Sequence, residues 1–377
     1  MRRDLVFLLS AVCLLHTITA EAKRDSTPED PQARVTELQT KAGQGFIKQE
    51  LELAADYFAG RGVPKDLSQA AYWYRKAAEQ GNPSAQVNLG YMYTVGMGVS
   101  RDTAEAVKWY RRAASSNSPD AKVNLASLYM RGDGVKQDKE EGLRLLKSAA
   151  DKGCGRADAY LGLTIYLGAG VPSDHAAAEA WFKKGAKQHD PEAEYFLAIF
   201  DENEPGRTPD LARDADLLRL SAASGYVEAM HGLGLLLVNH PGLPQRKDEA
   251  TDELKSAASG GSWKASAVMG TLARDGRVVP KDQRAAYRWF RIAVLQGGST
   301  AESSLHLELQ RLAKSMAAET ASTEQEAAAW MQMHPNHDLF VLKNELDSKY
   351  FPIQEVYATA QAPNVEEKAG QQTEQRN

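Results

Sequence analysis

The stretch Gly60-Arg61-Gly62-Val63-Pro64-Lys65-Asp66 has the spacing of a phosphate-cradling turn, with two glycines around one residue so that the backbone can approach an anion. The pattern recurs as Gly96-Met97-Gly98-Val99, Gly132-Asp133-Gly134-Val135 and Gly168-Ala169-Gly170-Val171, each copy 36 residues after the last. A nucleotide site needs one such turn, between a strand and a single committed helix N-terminus. Four copies at fixed spacing, none after a strand-like run, read as joints. Other chemistry-bearing groups are sparse. His334 and His337 flank Pro335-Asn336 with no third ligand nearby, so no metal site is expected. His175, His189 and His231 are scattered between repeats. No Gly-x-Ser-x-Gly, His-Glu-x-x-His or paired-cysteine motif occurs. The many carboxylates fall at caps or on solvent faces, and nothing marks a glycosidase pair. The residues therefore assign no catalytic group and no cofactor.

The chain has 377 residues and a net charge of -5. That mild acidity gives no reason to expect nucleic acid or an anionic membrane as partner. Arg2 and Arg3 precede an apolar run from Leu5 to Leu15, and Ala20-Glu21-Ala22 offers small residues where a signal peptidase reads. This predicts an export signal cleaved after Ala22 and too short for a stable membrane anchor. Cys13 lies inside the run after Val12, which argues against a lipoprotein. Cleavage leaves Cys154 as the one cysteine, read as a small side chain at a helix junction.

The 36-residue period runs well beyond the glycines. Alanine recurs at 85, 121, 157, 193, 229 and 265; four residues on stand Leu89, Leu125, Leu161, Leu197, Leu233 and Met269. Trp73, Trp109, Leu145, Trp181, Leu217 and Trp289 share another phase. A fixed period of this length predicts a solenoid. Within each unit the apolar spacing predicts two helices, as in Pro83 to Val95 and Thr103 to Ser115. Gly60, Gly96, Gly132 and Gly168 close the first helix, and Val63, Val99, Val135 and Val171 plug back between the helices. Asp66, Asp102 and Asp138 are placed to cap the second helix, with Gln69, Glu105 and Glu141 three residues on to complete a capping box; Asp174 and Asp282 keep the cap alone. Asn82-Pro83, Ser118-Pro119 and Asp190-Pro191 predict the start of the next unit. One unit buries too little surface to fold alone, so stability belongs to the array.

The units, read as A…LG…Y..G.GV..D…A..W(Y/F)..AA..G, resemble Sel-one-like repeats, relatives of the tetratricopeptide repeat. Units one to four and seven carry the pattern. Units five and six depart from it, with "FDENEPGRTPD" and "LVNHPGLPQRKD" where the turn should be, but they keep length and helix phase. The resemblance implies an all-α, right-handed α-solenoid of tandem 36-residue helix-turn-helix repeats. It also implies a scaffold or adaptor with a protein or peptide partner; exported bacterial relatives resemble regulators or assembly factors of envelope systems. The alternative is an enzyme acting on cell-wall or β-lactam substrates. The branch of the family with that activity pairs cysteines within its repeats, and this chain has none to pair.

By analogy with tetratricopeptide repeats, the concave surface falls on the first helix of each unit. The register places there Tyr91, Thr94, Ser127, Arg131, Leu163, Tyr166, Leu167, Tyr195, Ile199, His231, Leu235, Val238, Thr271 and Arg274. An apolar and aromatic middle with an arginine toward each end suits a peptide or helix with an apolar centre. Asn88 and Asn124 repeat in phase and read either as peptide-binding amides or as links between units. The expected organisation is a signal at 1–22, a linker and short helix at 23–45, seven repeats over 46–297, capping helices over 298–350 and a largely disordered tail at 351–377.

Overall fold

The computed structural model describes residues 31–298, 303–316 and 319–334. The expected signal, the tail and His337 lie outside these residues. Every regular element among them is an α-helix. α1 (Pro31–Gly43) precedes seven helical hairpins: α2 (Ile47–Ala59) with α3 (Leu67–Glu79), α4 (Pro83–Val95) with α5 (Thr103–Ser115), α6 (Pro119–Arg131) with α7 (Lys139–Ala150), α8 (Gly155–Tyr166) with α9 (His175–Ala186), α10 (Pro191–Asn203) with α11 (Leu211–Ala223), α12 (Val227–Asn239) with α13 (Glu249–Ser259), and α14 (Trp263–Asp275) with α15 (Gln283–Gly297). α16 (Ser303–Ser315) and α17 (Thr320–Met333) follow. The chain is an all-α repeat solenoid, and units five and six keep both helices despite their altered turns.

Each first helix packs on its own second helix, and each second helix on the next unit's first. First helices of neighbouring units also touch, as α6 with α8, α8 with α10 and α12 with α14, whereas neighbouring second helices make no contact of that extent. Layers that approach more closely lie inside the curve, so the first helices form the inner face. The in-phase alanines 85, 121, 157, 193, 229 and 265 are all fully buried. Small residues one position after the in-phase leucines let the paired helices close. A Cβ on Gly90 would stand 2.7 Å from the Tyr110 ring, and one on Gly270 2.6 Å from Phe290.

The turns are built partly as expected. Gly60, Gly96, Gly132 and Gly276 end their helices in the left-handed region, each donating its N–H four residues back. Asp66, Asp102, Asp138, Asp174 and Asp282 cap the second helices through their side chains. Asn82, Ser118 and Asp190 cap the first helices before their prolines. The capping box does not form in either unit two or unit three. The N–H of Asp102 donates to Tyr93 O and that of Asp138 to Tyr129 O, which closes the hairpin and leaves the glutamates no donor to accept from. Glu105 pairs with Lys108 and Glu141 with Arg144 instead.

A second periodic feature is polar. The fourth residue of each first helix (Glu50, Gln86, Lys122, Asp158, Glu194 and Ser266, with Met230 as the exception) is buried. Most bond to the end of a second helix: Gln80 Nε2 to Glu50 at 2.7 Å, Gln86 to Ala78 O at 3.1 Å, Lys122 to Ser148 at 3.0 Å, Lys184 to Asp158 at 2.8 Å and Ser266 to Gln296 at 2.6 Å. These bonds fix one rotation of the first helices that make them and so aim their inner face.

Both ends of the stack are covered. α1 packs Leu38 and Ala42 on Leu53, and Arg34 pairs with the buried Asp56 at 2.7 Å. α16 and α17 lie against α15. The Trp330 ring meets Trp289 edge-on at 5.7 Å, and Arg291 Nε donates to Glu324 at 2.6 Å.

Candidate binding surface on the inner face

The fourteen residues assigned by register belong to the first helices or directly follow them. The structure divides them. Tyr91, Ser127, Arg131, Tyr166, Leu167, Tyr195, His231, Leu235, Thr271 and Arg274 are half-buried. Thr94, Leu163, Ile199 and Val238 are in the core and offer no side-chain surface. Thr94 donates its hydroxyl to Gly90 O at 2.9 Å, Leu163 packs with Phe182, Leu197 and Phe200, and Val238 joins the cluster of Leu233, Leu237 and Leu254. Arg274 is committed to the cap, with Nη1 donating to Glu308 of α16 at 3.0 Å and Nε to Asp275 at 2.7 Å. Tyr166 rests on His175 at 4.8 Å and on Phe200 at 5.7 Å, and His175 meets Glu204 at 2.9 Å. Asn124 accepts from Arg156 of the next unit at 3.1 Å, so this amide links units, and Asn88 is buried beside Tyr74 of the preceding unit.

The most highly charged part of the face went unnoticed in the register. From unit one to unit seven, the second residue of each first helix reads Lys48, Ser84, Asp120, Arg156, Glu192, Glu228 and Lys264. Arg156 Nη2 reaches Asp120 Oδ1 at 3.3 Å across the joint between units three and four. Beside this row stand Tyr160, Tyr195 and Tyr226, the last two 5.3 Å apart edge-on. Tyr226 is the residue before α12, and burial, then Glu228 and Glu192, push its hydroxyl well above the ordinary tyrosine value. Burial, followed by Glu192, raises the capping carboxyl of Asp190 to about 7. Burial, helped by Lys264, lowers His231 to about 4, so it is neutral near pH 7. The Cys154 thiol is pushed up by burial, the condition of an inert cysteine.

A second group of carboxylates replaces the missing glycine turn in unit five. Asp201, Glu202 and Asp214 lie together, and burial followed by the Asp201 charge raises both Glu202 and Asp214 to about 7. Glu202 Oε1 and Asp214 Oδ2 are buried without a hydrogen-bond partner. A carboxyl raised in the folded state stabilises fully only below its unfolded value, near 4.5 for Glu202. That contribution fades as pH rises toward 7. Glu202→Gln is therefore expected to stabilise the protein by about 1–2 kcal/mol at pH 8 and to change little at pH 4. Urea denaturation at the two pH values measures this, and equal effects at both would refute it.

Among the described residues no group of three or more His, Cys, Asp or Glu is arranged to hold a metal ion, and no helix is long and apolar enough to cross a membrane.

A protein-family model described as "Sel1 repeat" matches residues 50–82, 83–118, 119–154, 155–190 and 264–298, leaving out units five and six. A Sel1 repeat protein of known structure from Oxalobacter formigenes is 33% identical; the match covers 60% of this chain and 90% of that one, with a TM-score of 0.49. A protective antigen of uropathogenic Escherichia coli displaying an SLR fold is 26% identical over 89% of this chain and 76% of its own, also at 0.49. An immunity protein from Pseudomonas aeruginosa is 25% identical over 58% and 82%, at 0.39. None of the curated proteins compared gave a match.

Proposed function

We propose, for a chain that belongs to the Sel1 repeat family, that it is an exported scaffold whose inner face holds a segment of a protein partner. Sel1-repeat proteins generally mediate protein–protein interactions, and the repeat fold is typically non-catalytic. One observation carries the reading to this chain. The first helices of units three to five and of units six and seven touch one another on one side of the stack, and Tyr91, Tyr195 and Leu235 in first helices, with Leu167 just after α8, stay half-exposed although those helices bury most of their apolar residues. Rigid aromatic and aliphatic side chains on a preformed surface can anchor a segment at low entropic cost. The N-terminal basic-then-apolar segment supports export, and with it a role in regulating or assembling an envelope system.

The test places a photo-crosslinking residue at Tyr195 or Leu235, and as a control at the exposed Lys147 on the outer layer, in protein mixed with native envelope extract. A specific adduct from the inner positions, absent from the control and lost from a Tyr195→Ala/Leu235→Ser protein of unchanged helicity, supports the groove. Adducts that do not distinguish inner from outer positions refute it. N-terminal sequencing of the exported form should begin at Lys23.

A further inference from the structure

We propose that a tryptophan side chain of a protein partner seats in a cavity between α11 and α13, in the place that the array elsewhere fills with its own tryptophan or leucine. An open cavity of about 660 Å³ lies there, walled by Arg219 and Ala222 of α11, Glu249 and Glu253 of α13 and the turn from Pro244 to Arg246. Two breaks in the 36-residue pattern meet at it. The phase that holds Trp73, Trp109, Leu145, Trp181, Leu217 and Trp289 holds Glu253 in unit six. The fourth residue of the first helix, polar in the other six units, is Met230 in this one. Both residues line the cavity. In the regular joints the tryptophan closes this space. Trp109 shares an apolar cluster with Ala78, Trp181 packs on that of Ala150, and Trp289 shares one with Ala258. Ala222 is in phase with these three alanines. The seat for an indole is thus kept where unit six supplies none.

The walls are preformed. Arg219 Nη2 donates to Pro244 O at 2.7 Å and Nε to Glu249 at 2.9 Å, and Glu249 accepts the N–H of Arg246 at 2.7 Å. These bonds tie the turn to both helices, so an arriving ring has little to order. They also satisfy Glu249. Glu253 is placed differently. Its nearest cation, Arg246, stands at 3.9 Å, beyond hydrogen-bond distance, and burial raises its carboxyl above the ordinary glutamate value. An indole N–H is a donor that this carboxylate can accept, while the ring covers Ala222 and the adaptable side chain of Met230. The charges at the walls balance, Arg219 and Arg246 against Glu249 and Glu253, so a neutral donor suits the site better than an ion. The volume falls among those of ligand pockets, about 300–1,000 Å³, and leaves room for the peptide groups that flank a tryptophan. The cavity lies mainly between second helices and does not rest on the inner-face reading.

Ligand-observed NMR with N-acetyl-tryptophanamide and the full chain tests the proposal. Saturation transfer to the indole protons is expected. The analogue methylated on the indole nitrogen keeps the ring and loses the donor, and its affinity should be about tenfold weaker. Glu253→Trp and the milder Glu253→Leu put the array's own residue types in the seat, and each should weaken binding at least about tenfold at unchanged helicity. The methylated probe needs no variant to fold. Equal affinity for the two probes, or binding that survives both substitutions, would overturn the proposal, as would the absence of transfer from the wild-type protein. Tighter binding of free indole than of the amide would assign the seat to a small aromatic molecule and overturn the protein partner. The inner-face reading is decided at Tyr195 and Leu235 and stands apart from all of these results.

Discussion

Gly98→Ala is expected to cost about 3–5 kcal/mol, a larger loss than most substitutions in a protein of this size would cause. Gly98 has φ +64, where a Cβ is disfavoured, but that conformation alone costs an alanine about 1 kcal/mol. The rest comes from what a Cβ would meet. It would stand 2.0 Å from the carbonyl oxygen of Leu67 and 2.3 Å from its carbon, at the first residue of α3. These are backbone atoms of a helix start, so no rotamer change can relieve the clash. Gly134 faces Thr103 of the preceding unit in the same way, at 2.3 Å. The second glycine of the Gly-x-Gly turn is thus the point where one unit's turn seats on the previous unit's second helix. Gly45→Ala is the control: its φ is +85 but nothing lies within 4 Å, so about 1 kcal/mol is expected. Urea denaturation measures both. Hydrogen exchange should show the Gly98 loss concentrated in units one and two, because each repeat contacts only its neighbours. Equal costs for the two alanines would mean that backbone strain, not contact between units, keeps this glycine.

That pair of glycines shows what could be read from the residues. The period, the two helices per unit, the left-handed stop and the aspartate cap were legible because the regular units solve the same local problem with the same residue types. The role of the second glycine was not, because its contact is with a different unit. The capping box failed for a related reason: the N–H of Asp102 is already taken by Tyr93 O, a tertiary bond that no local motif announces. Of the residues that register assigned to the inner face, Tyr91, Tyr195 and Leu235 keep exposed surface, whereas Thr94, Leu163, Ile199 and Val238 are buried in the packing between helices. The row of Asp120, Arg156, Glu192, Glu228 and Lys264 was in phase throughout and passed unread. Its residue type and charge change from unit to unit, and a search for repetition discards variation of that kind. In a solenoid the repeated positions build the stack, and the in-phase positions that vary are where recognition has room to differ.

Unit five shows how the stack survives the loss of its turn, and Asp201→Ala should expose the device. In units one to four and seven the N–H of the capping aspartate donates to a carbonyl of the first helix, as from Asp66 to Tyr57 and from Asp282 to Ala273. At the same phase unit five has Asp201, and its carboxylate takes the carbonyl's place, accepting from Asp210 N at 3.0 Å. It also receives Arg207 Nη1 at 2.9 Å and Arg213 Nη2 at 3.1 Å, while Arg207 extends to Glu179 of unit four at 2.9 Å. The residue is only 3% exposed. Alanine would leave the buried backbone donor without an acceptor and strip Arg207 and Arg213 of one of their two carboxylates each, for an expected loss of about 3 kcal/mol. Asparagine keeps an acceptor for Asp210 and forfeits the charge, so it should fall between alanine and wild type. Burial by itself would raise this carboxyl; the Asp210 N–H and the two guanidiniums outweigh it and hold it below the ordinary aspartate range. A lowered folded value stabilises above the unfolded value, near 3.8, and that contribution disappears as pH falls through the folded one. The gap between wild type and Asp201→Asn should therefore be full at pH 7 and shrink below about pH 4. A gap that stayed constant with pH would mean the asparagine loses geometry and not charge, and a cost for alanine within about 1 kcal/mol of that for removing an ordinary helix cap, as in Asp102→Ala, would mean the unit-five turn is held without its carboxylate.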